Sequence, residues 1–301
     1  MSIEVQEFQT RRQRLCINMR EGIAIIPTAP EVLRNRDSHY LYRFDSDFYY
    51  LTGFTEPEAV LVLVAGSSTK SLLFCRDRNP ERELWDGQRL GVGAAPAAVG
   101  VDLAYPMSAF EQEILPLLGK AETLFFALGA QPNWDTRIST LLAGLSMGAR
   151  NGQRAPRQIV DIRPLLAEMR LLKSAGEVAL MRASAQIAAT AHNHALTFTR
   201  PEQFEYEVEA EFLRLFRSQG AQAPAYTPIV AGGGNACTLH YTRNDARLRD
   251  GDLLLIDAGC ELDGYASDIT RTYPVNGKFN PAQRDCYQLV LEAQQAAIAA
   301  V

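Results

Sequence analysis

Long apolar runs are missing from this chain. The stretch Ala59–Ala65 (AVLVLVA) stands among the longest, far short of the roughly twenty residues that a membrane-spanning helix needs. The N-terminus, MSIEVQEFQTRRQRL, places acidic residues before basic ones and has no apolar core, which excludes a signal peptide of the usual kind. Positive charge is not in excess either. Thirty Lys and Arg against 35 Asp and Glu leave a net charge of −5, so a general nucleic-acid binder with a basic face is not expected. Cysteines are few and scattered: Cys16, Cys75, Cys237, Cys260 and Cys286 are odd in number and form no C-x-x-C pair. Reduced thiols in a cytoplasmic protein fit that pattern. H-E-x-x-H and G-x-S-x-G are absent, and no G-K-[ST] follows the glycines Gly232–Gly234. The corresponding zinc-protease, serine-hydrolase and P-loop chemistries therefore have no motif here.

At 301 residues the chain is long for one core, and two domains are expected. In the first half, strand-like runs at Gly22–Pro27, Ala59–Ala65 and Ser71–Cys75 alternate with helical patterns at Ile3–Asn18, Met107–Leu118 and Thr136–Leu145. That alternation predicts an α/β domain with a mixed sheet. The polar stretch Arg150–Gln158 (RNGQRAPRQ) reads as a boundary loop, and IVDIRPLL after it as a closing strand and turn. Ser174 and Glu177 then form a capping-box signature for a helix over 175–198, with Val178, Met181, Ala185, Ala188 and Ala189 on one side. A second helix is expected from Pro201 to just before Gly220, with Phe204, Val208, Phe212 and Leu215 as its stripe. Strand-like runs follow at Thr227–Ala231, Thr238–Thr242 and Asp252–Val275, which predicts an α+β domain. From Pro281 a helical pattern is still running at Val301, and the chain is expected to stop before its domain is complete.

The densest chemistry lies in LLLIDAGCELDGYASDITRTYPV, Leu253–Val275. Asp263-Gly264 marks a hairpin turn, read either as a two-residue loop or as the centre of a four-residue loop. The longer loop puts Asp257 directly opposite Asp268, and the shorter one offsets them diagonally. In both registers the two carboxylates share one face, because side-chain direction has a period of two. The flanking residues read as buried. Paired carboxylates repel unless a proton or cation lies between them, and hard divalent ions such as Mn²⁺ or Mg²⁺ favour carboxylate oxygens. The plain structural alternative is that Asp268 caps a turn or pairs with Arg271. His240, in the strand-like CTLHYTRND, has a similar alternative as an ordinary hydrogen-bonded histidine. His192 and His194 diverge around a helix and make no ligand pair.

Taken together these segments resemble the Xaa-Pro aminopeptidases (the aminopeptidase P family), metallopeptidases of the pita-bread fold. DGDLLLIDAGCELDGYASDITRTYPVNGKF resembles that family's hallmark hairpin, and YTPIVAGGGNACTLHYTRND its preceding histidine-bearing segment. SDFYYLTGFTEPEAVLVLV resembles its N-terminal domain, and EMRLLKSAGEVALMRASAQIA the junction between domains. The resemblance implies residues 1–168 as an N-terminal α/β domain and residues 169–301 as the first part of a pita-bread catalytic domain. It implies two divalent metal ions, Mn²⁺, with Asp257 as a ligand of one and Asp268 as a bridge between both. His240 is implied as a substrate-side donor to the scissile carbonyl. A metal-activated hydroxide would attack the Xaa–Pro bond of peptides with proline second. The family's remaining ligands, one His and two Glu, are expected beyond residue 301, so this stretch alone is predicted inactive, with an unpaired sheet edge and exposed apolar surface. Trp85 resembles a loop residue that reaches a neighbouring subunit, and a homo-oligomer, dimer or tetramer, is implied. No membrane or nucleic-acid partner is expected. An Xaa-Pro dipeptidase (prolidase) is the neighbouring alternative. A metal-free pita-bread binding protein is the alternative from another class, and like a creatinase-type enzyme it is disfavoured by the intact aspartate pair.

Overall fold

Strands GIAIIP (Gly22–Pro27) and VLVLVA (Val60–Ala65) are apolar at nearly every position because both of their faces are covered. They pair antiparallel, Ile25 opposite Val62, at the centre of a six-stranded sheet. Its order is Leu103–Pro106, Lys70–Cys75, Val60–Ala65, Gly22–Pro27, Thr123–Phe125, Gln158–Val160. Val60–Ala65 is antiparallel to both its neighbours, and the other pairings are parallel, so the sheet is mixed as expected. Alternate side chains feed two cores. Ile23, Ile25, Val60 and Val62 pack with Phe110, Ile114 and Ile138, while Ala24, Ile26, Leu61 and Leu63 pack with Leu15, Met19 and Leu51.

The computed structural model describes residues 3–151 and 153–301, which form two units, 3–173 and 174–301. The stretch read as a boundary loop, whose residue 152 lies outside the described residues, is internal to the first unit. Gln158–Val160 after it joins the sheet, and IRPLL does not turn but opens a helix, Arg163–Leu171, with proline in its first turn. Ile162, Leu166 and Met169 bury themselves in the first unit's core, which is why the chain stays there.

In the second unit the capping box forms as predicted. Glu177 N–H donates to Ser174 Oγ at 3.2 Å, Ser174 N–H to Glu177 Oε2 at 2.8 Å, and the helix spans Ala175–Phe198. Of the residues expected on its buried face, only Ala188 is buried. Leu180, Ser184, Ile187, Ala188, Ala191, His192 and Ala195 are buried, whereas Val178 and Met181 are exposed, because small residues permit close approach to the hairpin strand Cys260–Leu262. The next helix, Glu205–Ser218, begins four residues later than proline suggested. Glu202 adopts a left-handed turn at φ 74°, and Leu248 N–H donates to Gln203 O there. Val208, Phe212 and Phe216 are its buried stripe, and Phe204 caps the start.

Two small antiparallel sheets lie against these helices. One has Leu253–Asp257 between Ile229–Gly232 and Thr270–Pro274. The other has Cys260–Leu262 between Tyr265–Ala266 and Ala223–Pro224. The C-terminal helix, Pro281–Ala299, has no buried residue, and Leu289, Val290 and Ile298 are each about two-thirds exposed. Apolar surface is therefore exposed, as expected. Among the described residues no helix is long and apolar enough to cross a membrane.

Candidate metal centre

The hairpin turn is the two-residue form. Asp263 and Gly264 both have positive φ, 48° and 79°, as a type I′ turn requires, and Leu262 pairs with Tyr265. The same register runs through the whole hairpin, so Asp257 pairs with Thr270 and lies diagonal to Asp268. Asp268 faces Gly259, flanked by the bonds Ala258 N–H to Ile269 O at 3.1 Å and Ser267 N–H to Cys260 O at 2.9 Å. A Cβ on Gly259 would lie 1.7 Å from the Ser267 carbonyl oxygen, so only glycine allows the strands to come this close.

Parity sorts the faces as predicted. Leu254, Ile256, Ala258 and Cys260 point into the core with Val208, Phe212 and Phe216. The opposite face carries both aspartates. It is more open than the flanking residues suggested: Asp257 is half-buried and Asp268 exposed. The expectation that the residues around both carboxylates are buried therefore holds for one face of the hairpin only. The apolar letters around them belong to the other face, which hydrophobic content alone does not reveal.

A tyrosine closes the pair. Tyr226, in the bend before Ile229–Gly232, bonds through its hydroxyl to Asp257 Oδ1 and, at 3.0 Å, to Asp268 Oδ1. Ala225 N–H donates to Gly259 O at 2.9 Å and fixes that bend over the hairpin. Burial, then the bonds to the two carboxylates, push the Tyr226 phenol well above its ordinary range. Sequence reasoning passed over Tyr226. Its only signal was position, in the segment leading to the strand that pairs with Asp257. Arg271, the alternative partner of Asp268, instead donates to Thr270 O at 2.7 Å.

His240 is exposed in a turn that follows the 3₁₀ segment Gly233–Cys237. The strand expected over 238–242 does not form, because glycines and an asparagine turn the chain away from the sheet. Gly233 is left-handed at φ 54°. His240 makes no side-chain hydrogen bond among the described residues, to either aspartate or otherwise. His192 is buried behind the hairpin, donating through Nε2 to Ala258 O at 3.0 Å, and His194 Nε2 lies 3.0 Å from Glu211.

The oxygen donors of Asp257 and Asp268 suit a hard divalent cation, and two acidic groups on one open face attract one. Two carboxylates leave most of a coordination sphere unfilled. Among the described residues no group of three or more His, Cys, Asp or Glu converges as a metal site.

Comparison with known proteins gives this geometry a family. Residues 179–301 match metallopeptidase family M24, and residues 8–125 match the aminopeptidase P N-terminal domain. The Xaa-Pro aminopeptidase of Escherichia coli (strain K12) is 48% identical over 299 residues, covering 98% of this chain and 68% of the relative. The chain belongs to the Xaa-Pro aminopeptidase family. The Xaa-Pro aminopeptidase of Haemophilus influenzae is 45% identical, covering 97% of this chain and 66% of the relative. A solved Zn-substituted E. coli aminopeptidase P in complex with product superposes with a TM-score of 0.96 at 47% identity, over 98% of this chain and 68% of that one. Proline aminopeptidase P II from Yersinia pestis gives 0.95 at 49%, over 97% and 68%. The chain thus spans about two thirds of the length of these Xaa-Pro aminopeptidases. Membership makes this a metallo-exopeptidase chain of the pita-bread fold, with the aminopeptidase reading favoured over the prolidase one.

Proposed function

We propose that this protein removes the N-terminal residue from peptides with proline second, using Asp257 and Asp268 as two ligands of a dinuclear metal centre. The observation that carries the reading is the single Tyr226 hydroxyl bonded to both carboxylates inside the M24-matching segment. Bound divalent cations, Mn²⁺ in this proposal, supply Lewis-acid polarisation of the carbonyl and acidify water. Asp257, set in the central strand between Ile229 and Thr270, offers oxygens from a rigid position. Asp268, exposed on the diagonal, would hold the metal together with it. His240, exposed in the turn after Gly233–Cys237, would donate to the scissile carbonyl oxygen as negative charge develops there, an interaction strongest in the transition state.

The two aspartates fill only part of a coordination sphere, so further donors are needed to complete the proposed centre. We propose residues 1–168 as an N-terminal domain and 169–301 as the first part of the catalytic one. Leu84 and Trp85, about 85% exposed on a helix with no buried residue (Pro80–Asp86), support a homo-oligomer, dimer or tetramer, with Trp85 facing a second subunit. Five free cysteines support a cytoplasmic setting.

Peptide length tests the activity. The full-length, metal-loaded protein is expected to cleave Xaa-Pro-Yaa peptides longer than two residues. Cleavage of the Xaa-Pro dipeptide alone would make it a prolidase, and metal-independent binding without cleavage would make it a binding module.

A further inference from the structure

Glu205 opens the helix Glu205–Ser218 and is fully buried, with a side chain that could not remain there uncompensated. Four donors meet it. Gly232 N–H at 2.8 Å and Asn235 Nδ2 at 3.0 Å reach Oε1, while Tyr241 Oη at 2.7 Å and Ala246 N–H at 2.9 Å reach Oε2. These four come from both ends and the middle of one segment, 232–246, and the middle donor is the residue next to His240. Asn244 adds a second clamp. It is 1% exposed and left-handed at φ 48°, accepts from Val230 N–H at 3.0 Å, and donates to Pro228 O and Glu209 Oε2 at 2.9 Å each.

Between these clamps, residues 238–243 form neither helix nor strand, and among the described residues the His240 side chain has no hydrogen bond to hold it. Its place is therefore set by what holds its neighbours. Asn235 Nδ2 also lies 3.0 Å from Tyr241 Oη, so the phenol is fixed from two sides. Partial burial and the bond to Glu205 push the Tyr241 phenol up to about 12, which keeps it a donor at every working pH. A bond from a neutral donor to a carboxylate is about twice as strong as a neutral pair, and stiffer.

We infer that Glu205, acting through Tyr241, is the positioning residue for His240. This rests on the reading of His240 as the donor to the scissile carbonyl. Glu205 touches neither aspartate, so its effect falls on the chemical step and not on metal binding.

The test uses the full-length, metal-loaded protein and an Xaa-Pro-Yaa peptide, with Tyr241→Phe, Glu205→Gln, His240→Ala and the double variant His240→Ala/Tyr241→Phe. Tyr241→Phe removes the phenol's bonds to Glu205, Asn235 and Asp245 but leaves Glu205 three donors, so it is expected to fold even where Glu205→Gln does not. Misplacing a catalytic group by about 1 Å costs on the order of 100-fold. A partial displacement is expected to lower kcat by ~10-fold, with KM and metal stoichiometry unchanged. The double variant should be no slower than His240→Ala, since the two changes act through one group. Wild-type kcat in Tyr241→Phe beside an impaired His240→Ala overturns the inference and leaves the parent reading standing, as do effects that multiply in the double variant. Wild-type kcat in His240→Ala removes the parent reading and the inference with it.

Discussion

The Tyr226 hydroxyl lies 3.0 Å from Asp268 Oδ1 while also bonding Asp257 Oδ1, so one phenol ties the two carboxylates together. A phenol has one proton to donate. One carboxylate is therefore left short of a proton, which a cation at the proposed centre would compensate. Tyr226→Phe should keep the fold but loosen the pair, lowering metal affinity by roughly 10–100-fold, as loss of a ligand's supporting hydrogen bond does. Calorimetric titration of the full-length protein with Mn²⁺ measures this. Unchanged affinity would remove Tyr226 from the site.

Gly259 is the steric hinge of the hairpin. Gly259→Ala puts a methyl group into the Ser267 carbonyl, a backbone atom that cannot rotate away. The strands must part beside Asp268. A destabilisation of about 1–3 kcal/mol or more is expected from overpacking, together with weaker metal binding. Urea unfolding and metal titration read the two effects. A stable variant with normal metal affinity would contradict the geometry.

Burial holds the His192 imidazole below its ordinary 6.5, with the positive Arg271 acting in the same direction and Asp257 against it. Its Nδ1 is buried without a hydrogen-bond partner among the described residues. The neutral form is favoured in the fold, so its contribution is complete above the unfolded pKa. It is lost as pH falls from about 6.5 through the lowered folded value. Unfolding midpoints should drop across that window, and His192→Gln should flatten the drop. An identical pH dependence in both proteins would be the contrary result.

Thiol reactivity separates the cysteines. Cys16, Cys75 and Cys260 are buried, and burial pushes the Cys16 thiol up to about 11 and Cys75 to about 12. Only Cys237 and Cys286 are exposed. A thiol reagent at pH 8 should label those two natively and all five after denaturation, with mass spectrometry locating the sites. Native labelling of Cys75 would mean that the central sheet is open.

Much of the fold was legible because periodicity is local. The strand Gly22–Pro27 and the helix Ala175–Phe198 occur where the pattern puts them, the latter started by Ser174 and Glu177. Phase was harder. Val178 and Met181 are as apolar as a core requires, yet the helix turns its alanines and Ser184 inward because the hairpin backbone approaches too closely for larger side chains. The segment 238–242 has strand-forming letters but no strand partner, so it turns instead.

That Asp257 and Asp268 share a face follows from parity in either hairpin register, and the motifs around them point to the family. Tertiary structure decided the register, through an Asp263-Gly264 turn that both positive φ angles define. It also decided that the shared face is open and that a tyrosine 31 residues before Asp257 joins the pair. Burial and long-range hydrogen bonds depend on which surfaces meet. Glu205, Tyr226 and Tyr241 therefore acquire their partners only when the helix, the bend and the turn are brought together in space.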